Sequence, residues 1–139
     1  MCVTTYVVNE NNQFLLLFHK KLKQWVPPSG KIERYETPEE ASIRETFQET
    51  GLKIELISPA KTPSNIISPF GIQVNPIEAG SLEHVDLIYL AKSNGSSFQL
   101  DETESTKAQW LTIDEICELN TFREVKEWCQ FFANFMGLI

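Results

Sequence analysis

Apolar residues fall into short runs near the start of the chain, take up helical spacing in the middle, and return to runs before a closing amphipathic stretch. Val3 to Val8 and Phe14 to His19 are β-prone runs separated by Asn9-Glu10-Asn11-Asn12, a hairpin signature. Trp25 to Gly30 contains consecutive prolines, which disfavour helix, and is expected to be extended. Leu52 to Ile57 reads as a strand, and Ser58 to Pro69 as a Pro/Ser-rich loop. Ile66 to Val74 is a weak strand interrupted by Pro69 and Gly71, followed by a loop over Asn75 to Ser81. His84 to Ala91 is the clearest buried strand. The polar, acidic stretch Asn94 to Thr106 precedes a short strand, Ala108 to Leu111. Thr112 and Glu115 form a capping box for a helix over Ile113 to Leu119. A longer helix over Thr121 to Phe135 sets Val125, Trp128, Phe132 and Phe135 on one side. A mixed sheet covered by helices is the simplest architecture that buries all these faces.

The middle helix is the best defined. Thr37 is a good N-cap, Pro38 suits the first helical position, and Glu40 completes a capping box. Gly51 stands where a left-handed C-terminal cap belongs, so the helix spans about Pro38 to Thr50. At 3.6 residues per turn, Ile43 and Phe47 share one face, expected to pack on the core. Glu45 and Glu49 share the nearly opposite face and are expected to project into a cleft. Two like charges four apart weaken a helix by about a few tenths of a kcal/mol, and an isolated pair is ordinarily a solvated face. The neighbouring residues give this pair a chemical reading.

A chain of 139 residues is one domain with room for a real core. A net charge of −7 excludes broad nucleic-acid binding, which needs a basic surface, but leaves a nucleotide substrate open because bound cations supply a local positive field. Cys2, Cys117 and Cys129 show neither paired spacing nor a metal-binding pattern, so reduced thiols in a cytoplasmic setting are expected, with Cys117 and Cys129 in the core. No secretory signal pattern opens the chain, and no apolar run is long enough to span a bilayer, so no membrane partner is expected.

Gly30 is followed after five residues by Glu36, and after seven more by Arg44-Glu45-Thr46-Phe47-Gln48-Glu49-Thr50-Gly51-Leu52. A glycine loop ahead of a helix with carboxylates a turn apart can hold divalent cations against a phosphate chain. This segment resembles the signature of the Nudix (MutT-like) hydrolases, which carries an aliphatic residue at the position of Thr46 and a glutamate at that of Gln48. The resemblance extends to the leading hairpin, to Trp25-Val26-Pro27-Pro28-Ser29-Gly30, and to an acidic stretch before Trp110. It implies the family's α/β/α sandwich, a mixed β-sheet between helices, across essentially the whole chain.

By the same resemblance, the reaction is Mg²⁺- or Mn²⁺-dependent hydrolysis of a pyrophosphate bond in a nucleoside diphosphate linked to another moiety, such as a (d)NTP, a nucleotide sugar or ADP-ribose. Glu45 and Glu49 are the expected carboxylate ligands, with a backbone carbonyl at Gly30 as a third. Arg44 and Glu36 support the loop and helix. Glu104, six residues before Trp110, is the candidate last ligand or general base, and a solvated glutamate is the alternative. Gln48 brings no charge, which implies a weaker site or one fewer ion, or a nucleotide sensor that no longer turns over. Lys31, Trp25 and Lys20 are the substrate-binding candidates. The Lys20, Lys21 and Lys23 cluster equally reads as a solubilising hairpin end, Trp25 as a core residue, and His84 as structural. The partner is expected to be a small nucleotide derivative, and a homodimer fits the family's habits.

Overall fold

A computed structural model describes residues 1–61, 63–76 and 83–139. In chain order its elements are β1 (Cys2–Val8), β2 (Phe14–His19), β3 (Gln24–Val26), β4 (Ser29–Lys31), α1 (Pro38–Thr50), β5 (Ile54–Leu56), β6 (Gly71–Pro76), β7 (Glu83–Ser93), β8 (Ser105–Leu111), α2 (Ile113–Cys117) and α3 (Arg123–Phe135).

The expected hairpin sets the sheet. β1 and β2 pair antiparallel with Val8 opposite Phe14. Asn9 closes the turn by accepting the Asn11 and Gln13 N–H groups on its side chain. On its other side β1 runs parallel to β7, from Cys2 opposite Asp86 to Val8 opposite Lys92. β2 carries β3 and β8, β7 carries β6 and β5, and β4 pairs with the start of β1, all antiparallel. The result is one mixed sheet with helices on both faces.

Alternation along β1, β2 and β7 sorts the core into two layers. Tyr6, Val8, Phe14, Leu16, Ile88 and Leu90 face α2 and α3, where Ile116, Val125, Cys129 and Phe132 meet them. Val3, Val7, Leu15, Leu17, Leu87 and Tyr89 face the other way, towards Ala41 of α1. Each Val, Leu, Ile or Phe side chain among them contributes about 1.5–3 kcal/mol of burial.

The boundaries of α1 are as expected: Thr37 and Glu40 form the capping box, and Gly51 closes the helix at φ 74°. Its expected face is not. Ile43 and Phe47 are 40% and 50% exposed, while Ala41, Ser42, Thr46 and Thr50 are buried. Small and hydroxyl side chains let the helix lie close over β1, where the Ser42 and Thr5 hydroxyls meet at 2.5 Å. Bulky residues at those positions would hold it off.

Other boundaries moved. The strand expected over Ile66 to Val74 begins only at Gly71, because Pro69 has no N–H for the ladder, and it runs on through Asn75 and Pro76, which were expected in a loop. Residues 77–81 of that loop lie outside the described residues. β7 extends the expected strand at both ends, and β8 starts at Ser105 because Ser105 pairs with His19 across a bulge. α2 keeps its Thr112–Glu115 box but stops at Cys117. α3 starts at Arg123, since the Thr121 hydroxyl donates to the Trp25 carbonyl instead of capping the helix. Trp128 is half-buried and Phe135 is 47% exposed, so Cys129 and Ala133 complete the inward side with Val125 and Phe132. The three cysteines are free thiols, with Cys2 and Cys129 buried. Among the described residues no helix is long and apolar enough to cross a membrane.

Candidate active site

Arg44 organises the site. Its Nε and Nη2 donate to Glu36 Oε2 and Oε1 at 2.6 and 2.9 Å, and Nη2 also donates to the Lys31 carbonyl at 3.0 Å. Nη1 donates to Glu45 Oε1 at 2.8 Å and to Gln48 Oε1 at 3.1 Å. One guanidinium therefore ties the loop after β4 to two successive turns of α1. The ionic hydrogen bond from Arg44 holds the Glu36 carboxyl below its usual range and raises Arg44 further.

Glu45 lies directly against Gly30. A β-carbon on residue 30 would stand 2.1 Å from the Glu45 carboxyl carbon. Gly30 is therefore required by close approach, since its backbone is not left-handed. One turn on, Glu49 accepts the Ser29 N–H at 3.2 Å. Ser29 escaped the sequence reading, although a signal exists. Pro27 and Pro28 have no N–H, so Ser29 supplies the first free amide on the approach to Gly30.

The segment after β7 closes over the end of α1. Gln99 N–H donates to the Thr50 carbonyl at 2.8 Å and Asp101 N–H to the Glu49 carbonyl at 3.0 Å, satisfying groups the helix leaves open. Lys20 pins the same segment: its N–H donates to the Glu104 carbonyl at 2.8 Å, and its ammonium to the Glu102 carbonyl. Glu104 is thus brought within electrostatic reach of Glu49. Burial, then the charges of Glu45, Glu104 and Asp101, push the Glu49 carboxyl up to about 8 against the relief given by Ser29.

Glu45, Glu49, Arg44 and Gly30 therefore meet in one place, with an exposed Glu104 near enough for its charge to act on Glu49. Lys31 joins through its backbone, with its side chain exposed, and Lys20 through the 101–104 loop. Trp25 lies apart. It packs edge-on against Phe18 at 5.4 Å, with the core layer that faces α3. Gln48 is exposed and its oxygen faces Arg44.

Among the described residues no three His, Cys, Asp or Glu side chains converge into a closed metal cage. The donors fit Mg²⁺ or Mn²⁺ nonetheless. They are hard oxygens, and burial together with the charges of Glu45, Glu104 and Asp101 raises the Glu49 carboxyl, a penalty that a bound cation would relieve.

A family model described as NUDIX domain matches residues 1–129. The mouse bis(5'-nucleosyl)-tetraphosphatase [asymmetrical] is 28% identical over 120 residues, covering 85% of this chain and 76% of that protein. A MutT-like protein of Streptomyces ambofaciens is 30% identical over 116 residues, covering 84% of this chain and 66% of its own length. A NUDIX-family hydrolase structure from Clostridium perfringens superposes with a TM-score of 0.86 at 24% identity, covering 97% of this chain and 96% of that one.

Proposed function

We propose, from the premise that this chain belongs to the NUDIX domain family and is a pyrophosphohydrolase acting on nucleotide derivatives, that it cleaves a phosphoanhydride with a divalent cation held by Glu45 and Glu49. The observation that carries this reading is the packing of Glu45 on Gly30, one turn from a Glu49 carboxyl that burial and neighbouring acids raise to about 8. A Mg²⁺ or Mn²⁺ ion there would neutralise the pyrophosphate oxygens and acidify a bound water.

The chain's own residues set the geometry. Arg44 fixes the rotamer of Glu45 and locks the loop through Glu36. Ser29 and Gly30 shape the floor, with the Gly30 carbonyl as a further oxygen donor. Glu104, whose charge reaches Glu49, would accept the proton of the attacking water or serve as the last oxygen ligand. Lys20 and Lys31 supply positive charge beside the acidic cluster and can meet substrate phosphates. Free thiols at Cys2, Cys117 and Cys129 support a reducing, cytoplasmic setting.

The substrate class is a nucleoside diphosphate linked to another moiety. The test is a panel of (d)NTPs, nucleotide sugars, ADP-ribose and a bis(5'-nucleosyl)-tetraphosphate with Mg²⁺ or Mn²⁺. Release of a nucleoside monophosphate or a phosphorylated partner from some member is the expected result. Nucleotide binding without turnover of any member would replace the hydrolase by a nucleotide sensor.

A further inference from the structure

We propose that Gln48 is a positioning residue that completes the clamp on Arg44, and that the site in consequence holds a single divalent cation, shared by Glu45 and Glu49. This rests on the cation-dependent reading above and extends it to ion number.

An arginine side chain has five N–H donors. All of those of Arg44 are engaged: Nε with Glu36, Nη2 with Glu36 and Lys31, and Nη1 with Glu45 and Gln48. A guanidinium N–H can be met only by the oxygen of an amide, so the NH₂ end of Gln48 points away from Arg44. Gln48 has no second oxygen left to offer. A cation sharing its carbonyl would face the guanidinium at close range.

A carboxylate in this position would behave differently. One of its oxygens could keep the bond to Arg44 while the other turned to an ion, adding negative charge as well as a ligand. With glutamine there, no further negative charge is added beside Arg44: Glu36 is taken up by the bidentate pair, and Glu45 keeps Oε2 free of that arginine. Glu45 and Glu49, one turn apart, are a donor set for one ion, which Glu104 on the Glu49 side could complete, and residue 48 offers no anion for a second.

Mn²⁺ titration of the intact protein, read by the electron paramagnetic resonance of unbound ion, tests this without substrate. The wild type should bind about one Mn²⁺ per chain and Gln48→Glu about two. Gln48→Met should keep about one ion with affinity lowered up to about tenfold, because Glu45 loses a neighbour that orders its arginine. Residue 48 is exposed, so all three forms should give the same circular dichroism. Two ions in the wild type, one unchanged ion in Gln48→Glu, or complete loss of binding in Gln48→Met would each overturn the inference alone. A wild type that binds no Mn²⁺ would overturn the cation-dependent reading and this one together.

Discussion

Arg44 and Glu36 meet fork to fork, two N–H groups on two carboxylate oxygens at 2.6 and 2.9 Å, with both side chains mostly sheltered from solvent. A lysine cannot reproduce that geometry. Arg44→Lys should therefore destabilise the fold by about 1–2 kcal/mol in urea titration and lower kcat by at least about tenfold. Retention of full activity would separate Arg44 from the positioning of Glu45.

Gly30→Ala is expected to leave the fold intact and still disable the site. The added methyl would meet the Glu45 carboxyl, the far end of a flexible side chain, and the backbone would tolerate it. Circular dichroism should be unchanged, while Mn²⁺ affinity and kcat each fall by about two orders of magnitude. An active alanine variant would mean that Glu45 works from another rotamer.

Glu49→Gln should abolish cation-dependent turnover while preserving structure, and the same variant reads out an electrostatic effect. Without cations Glu49 keeps its proton up to about 8, against an ordinary 4.5. The folded chain then binds more protons than the unfolded one across that window, so its stability falls as pH rises from about 4.5 to about 8 and levels off above it. In chelator, melting temperature should decline over that range in the wild type and less in Glu49→Gln. Added Mn²⁺ should raise it more at pH 9 than at pH 6, since binding requires the deprotonated acid. Parallel curves for the two proteins would assign the pH dependence elsewhere.

Thr46→Val should stabilise the protein. The Thr46 hydroxyl is buried and has no hydrogen-bond partner among the described residues. Valine keeps the shape and removes the orphaned group, worth about 1 kcal/mol. A drop in the urea midpoint would show that the hydroxyl is satisfied in solution.

The limits of α1 and the nearness of Glu45 and Glu49 to the Gly30 loop were legible in the sequence because caps and a fixed spacing are local properties. The orientation of α1 was not. Ile43 and Phe47 are its most hydrophobic residues, yet Ser42 and Thr46 face the sheet, since distance from β1 rather than hydrophobicity selects the inward side. The support from Lys20, Gln99 and Asp101 was equally hidden, because it comes from backbone bonds between segments remote in sequence. Trp25 was read as either a stacking platform or a core residue, and its edge contact with Phe18 sets it in the α3-side layer.

The parallel pairing of β1 with β7 ties the opening residues of the chain to a partner that ends at Lys92. A nascent chain can wind the carboxylate-bearing helix early, but the sheet that seats it has no centre until that late strand has left the ribosome. The acidic cluster is accordingly seated only once β7 has been made, and a chain cut short before β7 would carry Gly30, Glu45 and Glu49 without the sheet centre that seats their helix.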